Sequence, residues 1–149
     1  MRIREAIKLR YRLGPYLYHT LQTKGMYISP VIWQATNPAN SWEEYVEFSK
    51  NENEFMLGPS LLVCPNFNQP PIKTTNCLLP KGLWCSPLNK ECIDIEKGQK
   101  LKMEVDDDVG HAVFQRQGTI VPFASEAGTS IEETRLKPLI LRYFLFCLF

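Results

Sequence analysis

The sequence predicts an α/β segment over residues 1–65, followed by an all-β module over residues 66–149. Three observations support this prediction. Leucines recur every four residues near the start of the chain, as on an amphipathic helix. A continuous apolar run at residues 61–63 has the length of a buried strand. Short apolar runs separated by turn signals then fill the second half, which is typical of an antiparallel β-sandwich.

The first predicted element is an amphipathic helix from Arg4 to about Gln22. Gly14 and Pro15 fall inside it, so we expect a kink or a restart at that point. Lys24 and the following glycine are expected to close it. Its apolar stripe is formed by leucines flanked by isoleucines and tyrosines: Leu9, Leu13, Leu17, Leu21, Ile3, Ile7, Tyr11 and Tyr18.

Three further elements complete the α/β segment. Residues 26–33 are apolar and rich in β-formers, which predicts a buried strand. Ser41 and Glu44 have the spacing of a capping box, which predicts a short helix through Phe48. Residues 55–57 are predicted to form a short helical turn that ends at Gly58-Pro59, before the strand at residues 61–63.

The all-β module is predicted from short apolar runs between turn residues. Residues 123–133 are interpreted as a loop of small residues, and residues 139–149 as a core strand. The other predicted strands cover residues 72–79, 83–85, 93–95, 101–105, 112–115 and 119–121.

The charge and hydropathy patterns exclude several classes of partner. The formal net charge is +1, whereas proteins that bind nucleic acid or anionic membranes carry a marked basic excess. Arg4, Lys8 and Arg12 share one face of the first helix; a mitochondrial presequence, a phosphate-binding patch and a solvated face are the alternatives, and the total charge favours the last. The apolar C-terminal run, interrupted by Arg142, is too short to span a bilayer. We therefore expect no nucleic-acid and no membrane partner.

No metal or cofactor site is predicted. The chain has two histidines and five cysteines without a Cys-x-x-Cys pair, which argues against structural zinc. The odd number of cysteines also fits poorly with a disulfide framework. Because no signal peptide precedes the first helix, we expect an intracellular chain or one that lacks its natural N-terminus. The cysteines are Cys64, Cys77, Cys85, Cys92 and Cys147.

No catalytic residue is predicted either. Glu43, Glu44 and Glu47 fall on the exposed side of a short helix, where solvated charge is the expected role. Residues 106–108 are three aspartates, but they lack the alternating ligands and distal glutamate of a calcium loop, so a polar turn is expected. His19 on the first helix and His111 at a strand start have no obvious partner in sequence.

Five segments, in order along the chain, resemble motifs of glycoside hydrolase family 31, the α-glucosidase family. The first is R-E-A-I-K-L-R-Y-R-L-G-P-Y-L-Y at residues 4–18, similar to the family's R-E-A-I-x-x-R-Y-x-L-L-P-Y-L-Y. Residues 54–65 resemble Q-F-M-L-G-P-x-L-L-V-A-P. Residues 79–84 resemble L-P-x-G-x-W, residues 113–122 resemble V-F-V-R-G-G-S-I-I-P, and residues 134–139 match a later T-x-x-x-P-L segment more weakly. The sequence departs from the family pattern at Gly14, Ser29, Glu54 and Gln117.

The resemblance implies that residues 1–65 are the terminal portion of a (β/α)8 TIM barrel and that residues 66–149 are the β-sandwich that follows it. It also implies that the nucleophile, in a W-x-D-M-N-E stretch, and the acid/base aspartate lie before residue 4. The chain is then a C-terminal fragment of an α-glucosidase-like hydrolase that lacks both carboxylates of retaining hydrolysis. Its carbohydrate substrate would bind the full-length enzyme, and exposed barrel faces would favour self-association. The alternative is a catalytically inactive carbohydrate-binding or interaction module.

Overall fold

The structure is a computed structural model, and it describes residues 2–35, 46, 48–50, 53–67, 74–87, 90–105 and 111–144. Three predictions lie outside these residues: most of the helix between Ser41 and Phe48, the turn at residues 106–108, and the last five residues of the C-terminal strand.

Two helices begin the chain, α1 (Arg2–Arg12) and α2 (Gly14–Lys24). The predicted break is confirmed, because α2 starts at Gly14 and places Pro15 in its first turn. Proline is tolerated there since the first backbone N–H groups of a helix have no intrahelical acceptor. At the other end Gly25 adopts a left-handed conformation with φ of 70° and donates to the Leu21 carbonyl oxygen at 2.9 Å.

Ten strands and two further short helices with described bounds follow, and the described residues Val46, Phe48 and Ser49 are also helical. The helices are α3 (Ile32–Ala35) and α4 (Ile131–Arg135). The strands are β1 (Ile28–Pro30), β2 (Phe55–Leu57), β3 (Leu61–Pro65), β4 (Thr74–Leu79), β5 (Gly82–Cys85), β6 (Cys92–Ile95), β7 (Gln99–Glu104), β8 (His111–Arg116), β9 (Ile120–Ala124) and β10 (Leu139–Tyr143). Each of the six strands predicted between residues 72 and 121 is confirmed within a few residues.

The strands form one six-stranded sheet, in the order β1-β2-β3-β8-β5-β6, and two ribbons, β4-β7 and β9-β10. All pairings among the described residues are antiparallel. The boundary predicted between residues 65 and 66 falls inside this arrangement: β3 pairs with β8 through residues such as Leu62 and Phe114. The six-stranded sheet therefore takes three strands from each side of that boundary.

Both faces of the six-stranded sheet are covered, because alternate side chains of a strand point to opposite faces. On one face, the β4-β7 ribbon encloses a core in the manner of a β-sandwich; this core includes Met56, Leu62, Cys77, Leu79, Trp84 and Phe114. On the other face, α1, α2 and β9 pack over a second core that includes Leu13, Tyr16, Leu61, Val121 and Phe123. The helical stripe predicted from sequence thus contacts the sheet through Leu13, with Leu9 and Leu17 partly buried beside it.

Two predictions for the first half are wrong. Residues 26–33 do not form a buried strand: β1 has three residues, Ile28 is 49% exposed, and Trp33 belongs to α3. Residues 55–57 form strand β2 rather than a helical turn. Gly58, with φ of 62°, ends this strand in the turn to β3, so the glycine marks a hairpin instead of a helix end.

Two predictions for the last third also need correction. The segment 123–133 contains the end of β9 and the start of α4, whose N-cap Ser130 accepts a hydrogen bond from the Glu133 backbone N–H at 3.1 Å. Glu133 in turn accepts from the Thr129 backbone N–H at 2.8 Å, which lowers the pKa of its carboxyl group. Strand β10 is exposed over most of its length rather than part of the core.

The expectation about disulfides is wrong as well. Cys64 of β3 is bonded to Cys77 of β4, which links the six-stranded sheet to the ribbon that covers it. Cys85 of β5 is bonded to Cys92 of β6, its partner in the strand register. Four of the five cysteines are therefore paired. An odd total excludes complete pairing, but it does not exclude two bonds and one remaining thiol.

Candidate functional site

A cavity that could receive another molecule lies between α1 and the sheet face that carries the second core. Its volume is about 460 Å³, which lies within the range of about 300–1,000 Å³ for ligand pockets. Most of its lining is apolar. The lining residues are Ala6, Leu9, Arg10, Leu13, Tyr27, Ile28, Phe55, Leu57, Leu61, Val63, Pro87, His111, Val113, Phe123 and Arg142.

The sequence periods explain how these residues converge. Ala6 and Leu9 of α1 and Leu13, the residue between α1 and α2, recur at helical spacing. All three therefore face the sheet and line the cavity. Leu61 and Val63 are two residues apart on β3, so they share a face while their neighbours Leu62 and Cys64 point into the other core. The cavity is thus the incompletely filled part of the space between the helices and the sheet.

Arg142 on β10 supplies one of the positive charges of this cavity. Its Nη1 donates to the Pro87 carbonyl oxygen at 3.3 Å, and its guanidinium lies 4.9 Å from the centre of the Phe123 ring. The backbone at this point is fixed by Gln115, whose Nε2 donates to the Arg142 carbonyl oxygen at 3.2 Å. Burial lowers the pKa of Arg142, and the nearby positive charge of Arg12 lowers it further. The folded chain therefore bears a cost for keeping this cation partly desolvated.

Other basic residues accompany Arg142. Arg10 of α1 and the ring of His111 also line the cavity. Arg12 approaches β9 from the helix, and its Nε donates to the Ala124 carbonyl oxygen at 3.1 Å. The positive charges of Arg12 and Arg142 are therefore held against backbone carbonyl oxygens and, for Arg142, an aromatic ring.

Carboxylates are absent from the described residues that line this cavity. Ion pairs away from this cavity include Lys8 with Glu5 at 2.8 Å and Lys137 with Glu126 at 2.8 Å. Glu54 is the one buried carboxylate in the described part of the chain, and it accepts a hydrogen bond from the Leu78 backbone N–H at 2.8 Å. Retaining glycoside hydrolysis needs two carboxyl groups about 5 Å apart, and the described lining of this cavity supplies neither.

The structure does not bring the candidate residues from the sequence together. His19 is exposed on α2, and His111 lies at the edge of the cavity at the start of β8. Arg4 and Lys8 are exposed, as expected of a solvated helix face, whereas Arg12 contacts β9. The acidic candidates at residues 43, 44, 47 and 106–108 lie outside the described residues. Within the described ranges, there is no cluster of three or more potential metal ligands, and no helix is long and apolar enough to cross a membrane.

Sequence reasoning missed Arg142 as a site residue. Its signal was present, because a cation that interrupts an apolar strand-like run must either reach solvent or find acceptors. Arg116 on β8 is likewise a partly buried cation that contacts an acceptor and an aromatic ring. Its Nη2 donates to Gln34 Oε1 at 2.6 Å, its guanidinium lies 4.9 Å from the Trp84 ring, and burial lowers its pKa.

A second, smaller cavity of about 210 Å³ lies between α2, the start of α3 and the β2-β3 turn. Its lining combines aromatic and polar side chains, and Trp33 is 52% exposed there. The lining residues are Thr20, Lys24, Met26, Tyr27, Ser29, Trp33, Gln34, Gly58 and Pro59.

Comparison with known proteins gives a consistent result. Residues 24–121 match the model of the glycosyl hydrolase family 31 C-terminal domain. The chain is 36% identical over 133 residues to neutral alpha-glucosidase C of Mus musculus and 34% identical to that of Homo sapiens. The aligned part covers 86% of this chain and 14% of each of these relatives, so the chain spans about a seventh of their length.

Solved structures agree with the sequence relatives. A family 31 dextranase of Flavobacterium johnsoniae, solved in complex with glucose, superimposes with a TM-score of 0.74 at 25% identity, over 93% of this chain and 16% of that one. The glucosidase II alpha subunit superimposes with a TM-score of 0.72 at 18% identity, over 89% of this chain and 14% of that one, which supports the fold alone.

Proposed function

Because the chain belongs to glycosyl hydrolase family 31, we propose that it forms the C-terminal region of an α-glucosidase-like glycoside hydrolase. The observation that carries this proposal is the match of residues 24–121 to the C-terminal domain of the family. In a full-length enzyme of this kind the substrate would be an α-glucoside. The glucose complex of the related dextranase is in keeping with that substrate class.

We assign α1 and α2 to the end of a (β/α)8 barrel and the antiparallel sheets to the β-sandwich that follows it. The family-domain match begins at residue 24, where α2 ends. Strands β1 to β3 join the sheet that also contains β5, β6 and β8. We therefore propose that the transition between the two parts lies at the end of α2 rather than between residues 65 and 66.

In this proposal the chain provides structural support and carries out no hydrolysis by itself. The larger cavity combines apolar side chains with cations such as Arg10 and Arg142, whereas hydrolysis of a glycosidic bond requires a nucleophile and a proton donor, both carboxyl groups. The buried carboxyl group of Glu54 accepts a backbone hydrogen bond from the ribbon at the opposite face of the sheet. It serves the packing of β4.

A hybrid enzyme, in which this chain replaces the matching segment of a relative, tests this proposal. The segment of mouse neutral alpha-glucosidase C that aligns with this chain is exchanged for this chain, and α-glucosidase activity of the hybrid is measured. We expect a soluble hybrid that retains activity. A matched hybrid that carries Trp84→Asp should lose α-glucosidase activity, because the substitution places a charge in the core. A soluble, folded hybrid without activity would contradict the proposal.

The second candidate is a carbohydrate-binding module without catalytic activity. The observation that favours it is the half-exposed ring of Trp33 beside the smaller cavity, with Tyr27 and polar side chains around it. An aromatic ring with neighbouring hydrogen-bonding groups offers an amphipathic surface for a sugar ring. If this candidate is correct, maltooligosaccharides quench the tryptophan fluorescence of the isolated chain, and Trp33→Ala abolishes the quenching while the protein stays folded.

A further inference from the structure

We infer that the cavity beside α1 receives an apolar polypeptide segment that carries a carboxylate, supplied by the part of the enzyme that packs against α1. This inference rests on the proposed function, because it assumes that the chain belongs to a longer enzyme. The curated relatives support that assumption, since the aligned part covers only 14% of mouse neutral alpha-glucosidase C.

The apolar lining determines most of the chemistry of the occupant. Leu9, Leu57, Val63 and Val113 present hydrocarbon to a space of about 460 Å³. Filling such a space with apolar side chains stabilises a complex by about 25 cal/mol per Å² of apolar surface removed from water. A segment with aliphatic or aromatic side chains therefore fits the walls of this cavity.

The arginines at the cavity determine the charge that the occupant should carry. Arg142 and Arg10 line it, Arg12 is close enough to affect the pKa of Arg142, and the described lining contains no carboxylate. Within the described part of the chain, Arg142 contacts the Pro87 carbonyl oxygen and the ring of Phe123. Neither of these carries a negative charge. A carboxylate brought to this position would gain charge-assisted hydrogen bonds and offset the repulsion between the two arginines.

Exposure around α1 supports a polypeptide as the occupant. Ile3 is 79% exposed and Ile7 is 49% exposed on the same helix. Ile3 and Ile7 precede the lining residues Ala6 and Arg10 by three positions, so they lie beside them on the surface of α1. A segment of another part of the enzyme could cover both the cavity and this adjoining stripe, whereas a small amphiphile would fill the cavity and leave the stripe in water.

The test measures binding of two matched peptides to the full 149-residue chain by isothermal titration calorimetry. One has the sequence acetyl-Leu-Phe-Glu-Leu-Phe-amide, and the other has Gln in place of Glu. Because a hydrogen bond to a charged group contributes about 1.5–3 kcal/mol, the acidic peptide should bind about tenfold more tightly or better. Arg142→Met should remove this difference, and Arg135→Met, on the exposed side of α4, should preserve it.

Several outcomes would overturn the inference. They are equal affinity of the acidic and amide peptides for the wild-type chain, no measurable binding of either, and an unchanged preference in Arg142→Met. If Arg142→Met does not fold, Arg10→Met provides the same comparison from the opposite wall. Decanoate that binds more tightly than the acidic peptide would assign the cavity to a small amphiphile instead. None of these results depends on the activity of the hybrid enzyme, so the inference and the proposed function can fail separately.

Discussion

The hydroxyl group of Tyr16 donates a hydrogen bond to the carbonyl oxygen of Leu57, at 2.9 Å and across 41 residues of sequence. The same hydroxyl accepts a hydrogen bond from the backbone N–H of Ser60 at 3.0 Å. One side chain of α2 therefore satisfies backbone groups on both sides of the turn between β2 and β3. This contact joins the helices to the sheet, which are the two parts that we assign to the barrel and to the sandwich.

Tyr16→Phe should destabilise the chain by about 1–3 kcal/mol, because it leaves the buried Ser60 N–H without its acceptor. Urea denaturation of the purified chain measures this loss. Tyr18→Phe is the matched control on the same helix: Tyr18 is 61% exposed, and its hydroxyl accepts from Gln22 Nε2, so we expect a change within about 0.5 kcal/mol. Equal stabilities of the two variants would show that the Tyr16 hydroxyl does not hold the turn.

Three glycine-to-alanine variants separate backbone strain from steric contact. Gly58 has φ of 62°, and an added Cβ would meet the hydroxyl of Tyr16. Gly118 has φ of 73° with open space around it, and Gly14 has open space without a positive φ. Since a left-handed alanine costs about 1–2 kcal/mol, thermal denaturation should rank the losses as Gly58→Ala, then Gly118→Ala, then Gly14→Ala. Similar losses for Gly58→Ala and Gly118→Ala would argue against close packing of Tyr16 on the turn.

The two disulfides should differ in their resistance to reduction. Cys64 and Cys77 are both fully buried between the sheet and the ribbon, whereas Cys92 of the second bond is exposed. A thiolate must reach one sulfur of the bond to reduce it. We therefore expect dithiothreitol to open Cys85–Cys92 at lower concentration than Cys64–Cys77, as measured by alkylation and mass spectrometry under native conditions. Simultaneous opening of both bonds would contradict this order.

Sequence patterns predicted where strands and helices lie along the chain better than they predicted which strands pair. The six strands between residues 72 and 121 were readable because turn residues separate short apolar runs. The segment 55–57 was misassigned because a glycine with positive φ ends helices and hairpins alike. The pairing of Phe55 with Val63 of β3 distinguishes a hairpin strand from a helical turn here, and it cannot be inferred from residues 55–58 alone.

Features that depend on tertiary structure were harder to predict. Helix α4 could have been found, since Ser130 and Glu133 have the capping-box spacing. The bond between Cys64 and Cys77 requires the β4-β7 ribbon to lie over β3, and the strand pattern does not specify that layering. For the same reason, Arg142 could not be placed beside Phe123 and Pro87 before the fold was known.

Exposed apolar elements should make the isolated chain associate with itself. Strand β10 pairs with β9 alone among the described strands, and Leu139 and Leu141 are each 58% exposed. An unpaired apolar edge favours association between chains. Sedimentation velocity should therefore show a mass that increases with concentration, and Leu141→Lys should reduce this increase. Ile131→Lys, at a 56% exposed position on α4, is the control and should have little effect. A monodisperse monomer at all concentrations would contradict the expectation.

The central claim is that this chain is part of an α-glucosidase-like enzyme and has no hydrolytic activity of its own. The most direct measurement is the release of 4-nitrophenol from 4-nitrophenyl α-D-glucopyranoside by the purified 149-residue chain. We predict no release above the buffer background, because the larger cavity lacks carboxylates among its described lining residues and Glu54 accepts a backbone hydrogen bond. Saturable release that Glu43→Gln, Glu47→Gln or Asp106→Asn abolishes, with the variant still folded, would contradict the claim.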